Sequence, residues 1–181
     1  MRSAVTIPLL VAVASVYDLG LRPQRETQEP RWVVSFRGVG PVRFGMSVQQ
    51  ASAAVRERLP GPSPEDTSSN NVHCPFYYAT PKATAPGLSF MVQDDTIVRV
   101  DIHGGPFATT DGFHTGSTES AIRRRYGDRL EVGNSLGGDE LLILSSPDPE
   151  RRFLIVFEIT DGKVSSYRAG RRMAAQLEEC S

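Results

Sequence analysis

The chain has 181 residues, of which 39% are hydrophobic and 23% charged, and its formal net charge is −1. These values are ordinary for a folded globular protein with one medium domain or two small ones. A net charge this close to zero excludes a general electrostatic attraction to nucleic acid or to anionic membranes. We therefore expect no nucleic-acid partner.

The first sixteen residues resemble a secretory signal peptide. Arg2 precedes an apolar run at residues 7–14, and Ala12-Val13-Ala14 fits the small-x-small cleavage pattern. About ten apolar residues are too few to cross a bilayer core of about 30 Å, so no stable membrane insertion is expected. We predict a periplasmic or secreted protein with a signal peptide at 1–16 and a linker at 17–30. The alternatives are a buried strand or a misassigned start.

The chain has two cysteines, Cys74 and Cys180, separated by 106 positions. An even number of cysteines in an oxidising compartment favours a disulfide between them. The alternative is a reactive thiol at Cys74 beside His73. Neighbours on an extended chain point to opposite sides, so His73 is poorly placed to act as the base.

A strand, a glycine turn and a capped helix are predicted in the first part of the chain. Residues 31–36 are β-rich, and Ser47 with Gln50 forms a Ser-x-x-Gln capping box after Gly45. The helix carries an apolar stripe of Val48, Ala51, Val55 and Leu59, and Pro60-Gly61 stops it.

A β-hairpin is predicted next. Residues 88–92 and 97–102 are strand-like runs around Gln93-Asp94-Asp95-Thr96. Simple alternation places Ile97, Arg99 and Asp101 on one face of the second strand, and Val98, Val100 and Ile102 on the other. We expect the face with Val98, Val100 and Ile102 to be apolar, and the face with Ile97, Arg99 and Asp101 to be partly exposed to solvent.

The second half of the chain repeats this order. Gly116, followed by Ser117 and Thr118, lies 71 positions after Gly45. Ser117 or Thr118 is predicted to cap a helix that ends at Gly127. Strands are predicted after it at 130–132, 140–144, 153–159 and 164–167. Asp161-Gly162 predicts a hairpin that aligns with the first one at an offset of 67. We predict an α+β fold of two tandem units, 31–104 and 105–181, each a capped helix packed on an antiparallel sheet.

The Gly45-Met46-Ser47 turn entering a helix, followed by paired strands, resembles the repeat of the β-lactamase-inhibitor-protein fold and of the SmpA/OmlA-type outer-membrane assembly lipoproteins. This resemblance implies a helical layer on an antiparallel sheet, an exported bacterial protein, and function through protein contact without catalysis. The matching positions, with Gly116, Ser117 and Thr118 in the second copy, are structural, so no functional residue transfers. No lipid-attachment cysteine precedes the domain.

Few residues suggest catalysis or metal binding. Asp101 and His103 share a strand face and His114 follows a Gly-rich loop, so these three could form the metal site of a small hydrolase. The alternative is that Asp101, His103 and His114 are ordinary exposed residues of a strand and a loop. Carboxylates at 94, 95, 101, 158 and 161 could also serve a hydrolase, but hairpin turns explain Asp94 and Asp161 more simply. We expect no enzyme activity and no cofactor.

The predicted function is binding to another protein in the periplasm or outside the cell. Candidate contacts are Trp32, Tyr77, Tyr78, Arg123 and Arg124. The partner would contact an exposed sheet face or the loops at 62–78 and 104–116. The sequence does not indicate the oligomeric state. The Arg123–Arg125 cluster, like Arg168, Arg171 and Arg172, fits a solvated face or an acidic partner. Trp32 with Tyr77 or Tyr78 could instead bind a carbohydrate.

Overall fold

The computed structural model describes residues 32–61, 76–149 and 152–176, and for residues 76 and 77 the backbone only. The predicted signal peptide at 1–16, the linker at 17–30 and both cysteines, Cys74 and Cys180, lie outside these ranges. Among the described helices, none combines the length and the apolar character that a bilayer crossing requires.

The described residues form three short helices and eleven strands. The helices are α1 (Val48–Val55), α2 (Glu119–Tyr126) and α3 (Arg172–Gln176), with one 3-10 turn at Gly127–Arg129. The strands are β1 (Val33–Ser35), β2 (Gly38–Val39), β3 (Val42–Arg43), β4 (Phe76–Ala79), β5 (Leu88–Gln93), β6 (Thr96–Ile102), β7 (Ala108–Thr109), β8 (Leu130–Asn134), β9 (Glu140–Ser145), β10 (Phe153–Thr160) and β11 (Lys163–Arg171).

The strands form two sheets. Seven antiparallel strands make the large sheet in the order β4-β5-β6-β11-β10-β9-β8. The small sheet has the order β3-β2-β1-β7, and its β1 and β7 run parallel. Helices on a mainly antiparallel sheet confirm the predicted α+β class.

Helix α1 begins as predicted and ends earlier. The Ser47 side chain accepts from the N–H of Gln50, and the Gln50 side chain accepts from the N–H of Ser47, which completes the capping box. Arg56 adopts a left-handed conformation with φ of 57° and ends the helix there. The prediction that the helix runs to Leu59 was wrong, although Leu59 is buried and its N–H bonds the Ser52 hydroxyl.

Helix α2 begins after Thr118 and ends at Gly127, where φ is 52°. The Thr118 side chain makes no capping bond, while the hydroxyl of Ser117 accepts from the N–H of His114 at 2.9 Å. Of the two predicted caps, Thr118 therefore occupies the cap position and Ser117 supports the turn before it. The predicted glycine stop is confirmed.

Both predicted hairpins are present, with two-residue turns at positive φ. Asp94 and Asp95 have φ of 49° and 55°, and Asp161 and Gly162 have φ of 50° and 69°. Each hairpin also has a register shift, after Met91 in the first and after Glu158 in the second.

The register shift overturns the simple alternation predicted for β6. Val98 is the extra residue of the bulge, because Arg99 pairs with Met91 and Ile97 with Val92. Ile97 and Val100 consequently both join the main core, whereas Val98 packs in a separate cluster on the other side.

In each half of the chain, the turn before the helix is bonded to the second strand of the hairpin. Gly45 donates to the carbonyl of Ile97 at 2.9 Å, and Ile97 donates to Met46 at 2.9 Å. Gly116 donates to Val164 at 2.8 Å, and Val164 donates to Ser117 at 2.9 Å. The two helices are therefore fixed to the large sheet by the same type of contact.

The main core lies between one face of the large sheet and a layer formed by α1, α2 and the small sheet. Phe90, Phe157 and Tyr167 are its largest fully buried side chains. The hydroxyl of Tyr167 has no hydrogen-bond partner among the described residues. The opposite face of the sheet packs against α3, through Ala174 and Ala175.

Candidate functional site

The predicted aromatic contacts lie in different places. Trp32 is half-buried, with its ring centroid 6.4 Å from that of Phe107, and its ring covers Gly40 so closely that a Cβ there would lie 2.7 Å from it. Tyr78 is half-buried, and its hydroxyl accepts a hydrogen bond from Nη2 of Arg99. Tyr77 lies in β4, but its side chain is outside the description. Trp32 and Tyr78 thus make contacts within the fold.

The predicted arginine contacts differ in their surroundings. Arg123 is held by Glu119, with Nε to Oε1 at 2.5 Å, and by Glu140, with Nη2 to Oε1 at 2.6 Å. These two carboxylates raise the pKa of Arg123. Arg124 is exposed and forms no ion pair with the residues described. Of the two, Arg124 is the one whose charge faces solvent.

The hypothesised metal ligands do not form a site. Within residues 32–61, 76–149 and 152–176, no group of three His, Cys, Asp or Glu side chains could hold a metal ion. Asp101 is buried against Arg99, whereas His103 and His114 are exposed. Nδ1 of His114 lies 2.7 Å from the carbonyl oxygen of Thr115. The three residues therefore give no support to a metal-dependent hydrolase.

A buried polar cluster joins β6 to α3 on the outer face of the large sheet. Nε of Arg99 lies 2.9 Å from Oδ2 of Asp101, and the two residues are 3% and 7% exposed. Nη1 of Arg99 donates to the carbonyl of Ala174 at 2.8 Å, and Nε of Arg168 donates to that of Ala175 at 2.8 Å. Burial raises the pKa of Asp101, and the charge of Arg99 opposes that shift. The two arginines thus each donate a hydrogen bond to a backbone carbonyl of α3 and link the helix to the sheet.

A groove of about 660 Å³ opens beside this cluster, where α3 meets the ends of the central strands. Phe153 pairs with Arg171 across β10 and β11, and its ring stacks on Phe44 with centroids 6.0 Å apart. Met173 is 76% exposed at the groove. The described lining is Gln93, Val98, Arg152, Phe153, Arg171, Arg172, Met173 and Ala174.

The groove combines apolar surface with positive charge. Three of its described lining residues are arginines, and none is a carboxylate. Arg152 lies 3.6 Å from Asp148, and Arg172 donates to the Ser145 hydroxyl at 2.8 Å. Arg171 is exposed and forms no ion pair with the described residues. Arg171 and Arg172 form a basic cluster that the sequence indicates, whereas Arg152, Phe153 and Met173 were not predicted as site residues.

A second groove, of about 690 Å³, has mixed charge. Its described lining is Asp128, Arg129, Glu131, Ser145, Ser146, Pro147, Asp148 and Pro149. The buried Ser146 donates to Asp148 and accepts from the N–H of Phe153 at 3.2 Å. No histidine lies among these residues to act as a base for the serine. Ser146 therefore links Asp148 to the first residue of β10.

Comparisons with known proteins assign no family. No protein-family model matches the chain. No curated protein matches its sequence. A crystal structure of an extracellular protein containing a SCP domain, from Bacillus anthracis str. Ames, is similar over 84% of this chain at 8% identity and a TM-score of 0.49. This chain covers 50% of that protein, and a similarity of this degree assigns neither a fold family nor an activity.

Proposed function

We propose that this chain is an exported, non-enzymatic binding protein whose groove beside α3 receives an acidic and apolar segment of another protein. The observation that carries the proposal is that one groove combines the exposed Met173 with Phe153 and three arginines in its described lining. Methionine, aromatic residues and arginine are the types enriched at protein interfaces, whereas lone exposed apolar side chains are ordinary.

The charge of the groove selects the partner. Arg171 is exposed and presents a guanidinium group that can bind a carboxylate in a planar, two-bonded geometry, while Arg152 and Arg172 add positive charge to the lining. An acidic segment would neutralise this charge, and a basic one would be repelled. Phe153 and Met173 would bury apolar side chains of the same segment.

The ionisable groups of the groove support binding and not acid–base catalysis. Its described lining contains arginine but no histidine, cysteine, aspartate, glutamate or lysine. Because arginine stays protonated in proteins, the described lining has no group able to exchange a proton near neutral pH. The arginines of the groove can orient a carboxylate of an acidic segment, as the proposed binding requires.

We also infer that the chain consists of two related units. Support comes from the matched bonds of Gly45 and Gly116 to their hairpins, and from isolated bridges that pair Ser47 with Thr96 and Thr118 with Lys163. The two register shifts are likewise 67 positions apart, at Met91 and Glu158. Such a duplication agrees with the resemblance to the β-lactamase-inhibitor-protein fold.

Export and a bridge between Cys74 and Cys180 remain part of the proposal. Tyr78 follows Cys74 by four positions, and Ala174 precedes Cys180 by six. Arg99 bonds both the hydroxyl of Tyr78 and the carbonyl of Ala174. Since each residue of chain spans up to about 3.5 Å, four and six residues are long enough to let the two cysteines meet in the proposed bridge.

The groove is expected to bind an acidic, apolar peptide in solution. We would titrate isotope-labelled protein with a blocked peptide of alternating leucine and glutamate, and follow its backbone amide resonances. The largest shifts are expected at Phe153, Arg171 and Met173. A peptide with lysine in place of glutamate is the control and should cause no saturable change. Equal binding of both peptides, or shifts confined to other surfaces, would contradict the proposed chemistry.

A further inference from the structure

Strand β8 forms one edge of the large sheet in the part of the chain that the structure describes. Strand β8, Leu130–Asn134, pairs with β9 on one side, and no described strand pairs with it on the other. Its five residues pair with β9 in continuous register, without a bulge. An unpaired edge of this kind offers a row of backbone donors and acceptors to another strand.

The orientation of these backbone groups follows from the hairpin that joins β8 to β9. The N–H of Ser135 donates to the carbonyl of Asp139 at 2.8 Å, so Ser135 directs its backbone groups toward β9. Alternate residues of an antiparallel strand direct their groups to opposite sides. Leu130, Val132 and Asn134 consequently direct their N–H and carbonyl groups away from β9.

Strand β8 carries little of the usual protection of edge strands. It contains no proline, lysine or arginine, and its central residue, Val132, is 57% exposed. Val132 pairs with the buried Leu142, so its side chain lies on the main-core side of the sheet. A strand added at this edge would cover it.

We propose that β8 pairs with β8 of a second copy of this chain, antiparallel and about a two-fold axis at Val132. Val132 then exchanges both backbone hydrogen bonds with its counterpart, and Leu130 does so with Asn134 of the other copy. Glu131, the one charged residue of the strand, lies opposite Gly133, so no like charges directly face each other. This self-complementarity favours a second copy over an unrelated strand.

The test is the mass of the purified full chain in solution, measured by light scattering over a range of concentrations. The native protein is expected to reach twice the mass of one chain. Val132→Pro removes the two N–H groups at the axis, and we expect a roughly ten- to hundredfold higher dissociation constant. Proline is tolerated at an edge position whose N–H faces outward, so the fold should persist.

Two lysine variants test whether a loss of the dimer comes from the β8 edge or from added positive charge anywhere on the surface. Val132→Lys places two ammonium groups across the axis and is expected to weaken the dimer. Val33→Lys, at a residue of the small sheet that is 46% exposed, should leave it intact. A native protein that stays monomeric at every concentration would overturn the proposal. So would a dimer that neither Val132 variant weakens.

Discussion

Replacing Arg99 with methionine is expected to lower the free energy of unfolding by about 3 to 5 kcal/mol. The variant leaves the carboxylate of Asp101 buried without its nearest cation, since the two groups are 2.9 Å apart in the native protein. It also removes the donors to the carbonyl of Ala174 and the hydroxyl of Tyr78. Urea unfolding followed by circular dichroism measures the loss.

A double variant separates the charge effect from the loss of packing. Arg99→Met with Asp101→Leu removes both charges, and we expect it to recover much of the lost stability. The matched control is Arg123→Met, which breaks the partly exposed pairs with Glu119 and Glu140 and should cost about 1 kcal/mol. If Arg99→Met is no more damaging than Arg123→Met, the cluster does not hold α3 to the sheet.

Reducing the protein collected from the exported fraction is expected to lower the free energy of unfolding by about 4 to 5 kcal/mol. The expected cause is the loss of the proposed bridge between Cys74 and Cys180, which would close a loop of 106 positions and restrict the unfolded chain. Unfolding with and without reductant measures the difference, and the intact mass should rise by two hydrogens.

Cys180→Ser is the control for this effect. It should unfold like the reduced native protein, and reductant should not change its stability further. Two free thiols in the freshly exported native protein would contradict the bridge.

The local elements could be predicted because their signals lie within a few residues. Ser47 and Gln50 define a cap through their own side chains, and Asp161-Gly162 fits a two-residue turn through its backbone preferences. The β-bulge at Val98 could not be predicted in this way. It depends on how β5 pairs with β6, and no residue within β6 specifies it.

The groove was missed for a related reason. Val98, Phe153 and Arg171 are far apart in the sequence and meet only through the register of β6, β11 and β10. The end of α1 at Arg56 was also not predicted, because arginine rarely adopts the left-handed conformation, whereas a glycine at this position would have indicated a helix end. The available signal was Arg171-Arg172-Met173 after an apolar strand, which indicates positive charge but not a groove.

Photo-crosslinking in the exported fraction is the most direct measurement of whether the groove binds a partner. A benzoylphenylalanine at Met173 should form an adduct with one protein, at a segment that contains aspartate or glutamate. Charge reversal in Arg171→Glu should abolish the adduct, and the same reversal at the exposed Arg124 should leave it unchanged. An adduct that survives Arg171→Glu, or that maps to a basic segment, would contradict the account.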